Sequence, residues 1–380
     1  MTGKNLKTSP FRRKVLAWLA GAVVAPRTFA QAIGTQSPVT GHQPLVTQFA
    51  KVIPGYTLRF PYDEGSHPEF RTEWWYVTGW LDAPGGKPLG FQITFFRTRP
   101  ELKDDNPSAF APRQILIAHA ALSDPAHSRL QHDQRAARAG FTLAGADAGR
   151  IRVWIDDWSL AQGNGAYRAR IAAKDFRFDF TLSATQLPLL QGDRGLSRKG
   201  PRPGSASYYY SLPQLKVSGT LERGGKARPV TGSAWLDHEW SSSYMDSEAV
   251  GWDWIGINLA DGGALMAFRM RDQRGGKFWA GGGYRSAEGV TRSLGMEDVD
   301  FTPRREWRSP RTGAAYPVSW SVRAGPLRIE IEPLMDDQEN DTRLSTGTIY
   351  WEGAVRALHD GKPVGRGYLE LTGYWQPLQL

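Results

Sequence analysis

Cysteine is absent from the 380 residues, which removes disulfides and a lipidated N-terminal cysteine from consideration. Past the first segment, no stretch approaches the roughly eighteen consecutive apolar residues of a membrane-spanning helix. No G-x-S-x-G elbow occurs, so a serine hydrolase of the usual α/β type is disfavoured although Ser, His and Asp are all present. Glycines abound, yet none forms a phosphate loop between a strand and a helix. His127 and His132 lack zinc-ligand spacing, and without cysteine a metal site would need distant carboxylates. Neither a metal nor a cofactor is expected.

A stripe of one charge is missing as well. The formal net charge is +9, but residues 1–32 hold six Lys or Arg and no acid, so losing that segment leaves +3. The remaining arginines are scattered among acids, and nucleic acid is not an expected partner.

What is present points to strands. Gly (42), Pro (25) and Trp (15) together favour short strands and many turns over long helices. The length exceeds one ordinary core, so two domains are expected. Lys4, Lys7, Arg12, Arg13 and Lys14 precede an apolar run from Val15 to Ala25, followed by Pro26 and the small residues Thr28, Ala30 and Ala32. This pattern predicts a signal peptide over 1–32 and a periplasmic or secreted mature protein that is not integral to a membrane. Arg12-Arg13 also permits a twin-arginine export route. An intact Met1 on protein recovered from its host would defeat the export reading.

Residues 33–55 read as a polar N-terminal arm, 56–245 as one barrel-like domain and 246–380 as a second. Strands are predicted at Glu73–Asp82, Leu89–Arg97, Ile115–Leu122, Phe176–Leu182, Leu215–Leu221 and Ser233–Glu239. The second half repeats the first: Trp74-Trp75-Tyr76-Val77 aligns with Trp252-Asp253-Trp254-Ile255, and Leu236 through Trp240 with Leu371 through Trp375. The fold class is therefore all-β, two tandem barrels from an internal duplication. The first copy is longer through Glu101–Arg113 and Leu187–Ser207, expected as surface insertions, with lids over a barrel mouth as the other option.

Strand alternation puts Ala234, Leu236, His238 and Trp240 on one side and Trp235, Asp237 and Glu239 on the other. Asp253 likewise shares a row with Ile255 and Ile257, opposite Trp252 and Trp254. Desolvation raises the pKa of an Asp, so a carboxylic acid kept protonated in a barrel is a usable proton donor. The plainer reading has Asp253 pointing outward or capping an amide, with His238 a satisfied core histidine. Both readings stand at this point. Tyr208-Tyr209-Tyr210 reads as a gate at a cavity mouth or as a simple edge strand.

Phe60 to Pro68, Arg71 to Gly79, Ala118 to Asp124, Trp235 to Trp240 and Tyr368 to Tyr374 together resemble the lipocalin-like AttH and hydroxyneurosporene synthase (carotenoid 1,2-hydratase) family. The resemblance implies two tandem lipocalin-like β-barrel domains with an apolar ligand cavity. Relatives include enzymes that add water across a terminal double bond of an acyclic carotenoid, and fungal cyclases that fold a polyene. In the hydratases a His-x-Trp pair and a following Asp are implicated. His238 and Trp240 match the pair and Asp253 is the candidate acid, while the Tyr expected two residues before the acid is Gly251 here. Trp75, His119, Tyr209 and Trp254 are the candidate ligand-lining residues. A membrane transporter that hands over lipid is a partner implied by family analogy alone.

Two functions follow. The first is an exported binding protein whose barrel holds an apolar lipid, isoprenoid or polyene. The second is a cofactor-independent hydratase-like hydro-lyase or cyclase that protonates an alkene through Asp253. Binding is preferred, because exported relatives lack an obvious carotenoid substrate and Gly251 departs from the catalytic pattern.

Overall fold

The structure is a computed structural model that describes residues 49–82, 85–101, 107–108 and 110–378. The expected signal segment 1–32, the arm as far as 48 and part of the first insertion lie outside the described residues. Among the described residues, helix is confined to two 3-10 turns, Tyr62–Glu64 and Met296–Asp298. No helix there is long and apolar enough to cross a membrane.

Two antiparallel sheets hold everything else. The first comprises β1 (Thr72–Asp82), β2 (Leu89–Thr98), β3 (Ile115–Ser123), β4 (Gln131–Arg138), β5 (Ala144–Ala146), β6 (Arg152–Ile155), β7 (Trp158–Gly163), β8 (Ala166–Ala172), β9 (Phe176–Ser183), β10 (Leu189–Leu190), β11 (Leu196–Arg198), β12 (Ala206–Arg223) and β13 (Lys226–Ser243). The second comprises β14 (Gly251–Leu259), β15 (Ala264–Arg271), β16 (Lys277–Arg285), β17 (Thr291–Leu294), β18 (Val299–Arg308), β19 (Ala315–Ala324), β20 (Leu327–Pro333), β21 (Glu339–Asp341), β22 (Ile349–His359) and β23 (Lys362–Leu371). The chain passes from one sheet to the other between Ser243 and Gly251.

The strand orders are β4-β3-β2-β1-β13-β12-β9-β8-β7-β6-β5 and β17-β16-β15-β14-β23-β22-β20-β19-β18. In each, the first strand pairs with the last, which is the duplication in structural form. The closing hairpins match too. Gly224-Gly225 (φ +54°, +74°) and Asp360-Gly361 (φ +48°, +73°) both turn through the left-handed region, as a two-residue turn between twisted strands requires. Register corrects one detail. Val77 faces Leu236 and Ile255 faces Leu369, so Leu236 corresponds to Leu369 rather than Leu371. A shift of two residues keeps every side chain on its face, which is why the sequence pattern did not expose it.

Both sheets curl into lipocalin-like barrels, and long side chains bridge their open seams. On β4, Arg135 donates to Ile155 O and pairs with Asp157 at 2.5 Å. In the second barrel, Arg269 and Lys277 reach Phe301 O and Val299 O.

Each barrel has its own core, built from inward rows such as Trp75, Val77, Leu236 and Trp240 in the first and Ile255, Ile257, Leu369 and Leu371 in the second. A third apolar cluster lies between them, from the outward rows of the same strands: Tyr76, Trp80, Trp235, Trp254, Met266 and Tyr368. Strands at the junction are therefore buried on both faces, whereas β8 and β9 alternate buried and exposed. Gly90 permits the close approach, since a Cβ there would collide with the Ala354 side chain of the other barrel. Trp80 Nε1 donates to Gly367 O across the junction at 3.0 Å.

Candidate functional site between the barrels

On β13 the two faces have opposite characters. The outward row carries Trp235, Asp237 and Glu239 into the junction, where all three are buried. Asp237 accepts hydrogen bonds from Trp235 Nε1 (2.6 Å), Ser211 Oγ (2.5 Å) and Tyr209 OH (2.7 Å), and Trp254 Nε1 of the second barrel donates to Tyr209 OH at 3.1 Å. Burial pushes the Asp237 carboxyl up to about 7, with its three donors opposing the rise and the Glu239 charge adding to it. Such a group is poised to give or take a proton near neutrality.

The second insertion supplies the junction's cation. Instead of lying on the surface as expected, residues 189–199 pair with β12 through β10 and β11 and bury Leu189, Gln191 and Lys199. Lys199 Nζ pairs with Glu239 at 2.9 Å, hydrogen-bonds Ser197 Oγ at 3.0 Å and sits over the rings of Phe268 (4.2 Å), Tyr209 (4.9 Å) and Tyr244 (5.4 Å). Burial lowers the Lys199 pKa despite Glu239, and burial raises Glu239 despite Lys199.

The second barrel contributes two more acids. Glu370 rises to about 7 through burial, aided by the charges of Asp237 and Glu239. Burial also lifts Glu352 well above the carboxylate range, with Glu370 adding to it. Tyr76, Tyr350 and Asn340 surround Glu352, yet Tyr76 OH, Glu352 Oε1 and Asn340 Oδ1 have no aligned partner. Three buried carboxyl groups, Asp237, Glu239 and Glu352, and the half-buried Glu370 thus stand in an aromatic and methionine-lined layer in which the Lys199 ammonium group pairs with Glu239. At its far end, His119 bonds Tyr350 OH and Ser345 Oγ, each at 2.9 Å. Burial holds its pKa down to about 3, so this imidazole is neutral.

His238 and Trp240 point the other way, into the first barrel. His67 stacks on Trp240 (3.8 Å, 6°) and Trp75 stacks on His238 (4.8 Å, 19°). His238 Nε2 donates to Glu73 at 2.9 Å, which leaves Nδ1 to accept from Tyr210 OH at 3.2 Å. Glu73 also accepts from Arg97 Nε (2.8 Å) and His67 Nδ1 (2.7 Å). Burial opposes ionisation of Glu73, but the Arg97 charge and the two imidazoles outweigh it and hold its pKa well below the usual range. His67 is the counterpart: burial lowers its pKa, while hydrogen bonds to Asp63 and Glu73 more than reverse this and raise it to about 9. One nitrogen or oxygen atom from each of His67, Glu73 and His238 lies within 4.8 Å of the others, a spacing that could hold a metal ion. Their ring nitrogens are engaged with carboxylates and Arg97 stands beside them, which describes a hydrogen-bonded ion cluster.

Asp253 is in neither place. It occupies in the second barrel the position Trp75 occupies in the first, facing inward. Arg269 Nε pairs with it at 2.5 Å, Arg271 Nε at 3.2 Å, and Tyr374 OH donates at 2.8 Å. The structure therefore does not bring Asp253 together with His238 and Trp240, because after a duplication the inward row of β14 serves its own barrel. Among the candidate ligand-lining residues, the structure joins Tyr209 to Trp254 directly, sets His119 at the junction and leaves Trp75 inside the first barrel. The tyrosine run gates nothing: Tyr208 and Tyr210 pack into the first core and Tyr209 into the junction.

The family model described as AttH-like matches residues 51–374. The chain belongs to the AttH-like family. A candidate AttH protein of Nitrosomonas europaea, solved as a crystal structure, is 56% identical with a TM-score of 0.81, covering 86% of this chain and 99% of its own. Kievitone hydratase from Nectria haematococca shares the fold at 15% identity and a TM-score of 0.65, covering 87% and 98%. No curated protein matches the chain. In this AttH-like chain, sequence reading passed over Asp237, Glu239, Lys199, Glu352 and Glu370. The signal was there for Asp237 and Glu239, which alternation had already set opposite His238.

Proposed function

We propose that this AttH-like protein binds an apolar, unsaturated small molecule at the junction between its barrels and carries out proton transfer on it, in the manner of a hydratase. The observation that carries this reading is Asp237, a fully buried carboxyl at about 7 within an aromatic layer. A binding protein gains nothing from burying Asp237, Glu239 and Glu352 when Lys199 pairs with Glu239 alone, since each costs desolvation free energy. A proton-transfer site requires such groups.

The chemistry balances without a cofactor. Protonated Asp237 gives its proton to one alkene carbon, and the π electrons form the new C–H bond. The cation left on the neighbouring carbon faces the rings of Trp235, Trp254 and Tyr209. Water adds to it, and its surplus proton returns to the Asp237 carboxylate. Tyr209, held between Trp254 and Asp237, is placed to relay that proton. Kievitone hydratase shares the fold, and its name carries the same class of reaction, hydration.

To test this, the purified protein is incubated with a lipid extract of its host in heavy-oxygen water. Mass spectrometry should find a bound ligand and a product that has gained one heavy water. Asp237→Asn should lower product formation by about a hundredfold or more while the ligand stays bound, the scale of a lost general acid. A ligand that is bound but unaltered, with the variant indistinguishable, would support the carrier reading and reject this one.

A further inference from the structure

The inward row of β15 ends in two arginines where the apolar pattern calls for core residues. Arg269 and Arg271 follow Leu265 and Ala267 on that face, while Met266, Phe268 and Met270 on the other face line the junction. The two guanidinium groups are mostly buried, with side-chain exposures of 13% and 6%. Between them lies one carboxylate, Asp253, so one positive charge is left over. The rim does not cancel it, because Arg304 pairs with Glu330 at 2.6 Å and Arg305 with Asp336 at 2.7 Å, while Glu306, the carboxylate on the cavity wall, has its own cation in Arg308 at 3.7 Å.

These arginines open on a cavity of about 360 Å³ at the mouth of the second barrel, walled also by Trp320 and Tyr374. Its unpartnered groups are donors. Trp320 is fully buried, yet its indole N–H has no hydrogen-bond acceptor. Arg271 Nε, although 3.2 Å from Asp253, is likewise without an aligned acceptor. Arg271 stacks over Tyr374 at 3.8 Å and Arg269 over Trp320 at 4.9 Å, which fixes both planes. Fixed donors, a surplus of one positive charge and apolar walls describe a receptor for a monoanion carried on an apolar body.

We propose that the mouth of the second barrel binds the carboxylate head of an apolar-tailed acid, seated on Arg271, Arg269 and the Trp320 N–H. Asp253 then acts as a positioning residue that holds the two guanidinium groups apart and leaves them one charge short of neutral. This site is separate from the junction, on the opposite face of β15.

Isothermal titration with octanoate, 1-octanol and acetate tests the assignment on the intact chain. Octanoate should bind about tenfold or more tighter than octanol, the worth of a charge-assisted hydrogen bond. Acetate, lacking the tail, should bind more weakly still, and added salt should weaken octanoate alone. Arg271→Gln should abolish the preference for the acid. Should that variant fail to fold, Trp320→Phe keeps the ring, removes the donor and should weaken octanoate about threefold to tenfold with octanol unchanged. Asp237→Asn should leave octanoate binding intact, which separates this site from the junction. Octanol binding as tightly as octanoate, no octanoate binding, or wild-type octanoate affinity in folded Arg271→Gln or Trp320→Phe would overturn the proposal.

Discussion

Glu73 accepts hydrogen bonds from Ser66 Oγ, the His67 backbone and ring, Arg97 Nε and His238 Nε2, all within the first barrel. Arg97 has no solvent exposure, and its other nitrogens bond Phe70 O and His67 O, so Glu73 is its one ionic partner among the described residues. Removing the charge strands a buried guanidinium group beside a buried imidazolium. Glu73→Gln should therefore lower stability by about 3–5 kcal/mol, as breaking one side of a buried ion pair does. Urea unfolding measures it, and a loss below about 1 kcal/mol would mean the cluster is not held by that charge. Only part of this cluster is legible in the sequence. Alternation correctly put His238 on the inward row, but the ion cluster draws on Asp63 and His67 from the preceding turn and Arg97 from another strand, which no local pattern links. Asp253 was rightly set on an apolar row, yet its neutralising arginines lie on β15, where Phe268 and Met270, alternating with them, look like ordinary core.

Strands carried most of the fold into view and concealed the site. Where one face meets water, as in β8 and β9, the period of two is plain in the sequence. β1, β13 and β14 are buried on both sides, so their runs of Trp, Tyr and Leu say that a second layer exists without saying which face belongs to which barrel. The inter-barrel face thus reads as surplus aromatic residues, and alternation sets Asp237 and Glu239 on it without saying what covers them. The second insertion misled for a similar reason. Pro, Gly and Arg from 187 to 207 carry the composition of a surface loop, but hydrogen bonds from Arg285 to Gln186 Oε1, Leu187 O and Pro188 O tie its start to the second barrel. Its two short ladders against β12 then fix Lys199 over Phe268, in contacts too short-ranged along the chain to register as strands.

At the scale of the molecule, the buried charges give stability a definite pH dependence. Asp237 and Glu370 ionise at about 7 in the folded chain against ordinary values of 3.8 and 4.5, so folding takes up protons between those limits. Their contribution is full below about pH 4 and is lost as pH rises through 7, on the order of 4 kcal/mol for Asp237 alone. His67, raised from 6.5 to about 9, adds a contribution that is full below 6.5 and gone above 9. Glu73 and Asp63 oppose these: both carboxyls are lowered, so their contribution is present above about pH 4 and lost as pH falls. The two trends cross in mild acid. Thermal unfolding should therefore show the highest Tm at about pH 4 and a steady decline toward pH 9, which is the reverse of a protein held only by lowered carboxylates. Asp237→Asn carries no titrating group at that position and should flatten the part of the decline between about pH 5 and 7 while leaving the part above 7, which belongs to His67, in place. A Tm that climbs from pH 5 to 8, or a decline identical in the variant, would show that the junction acids are ionised in the folded protein and would remove the basis for proton donation by Asp237.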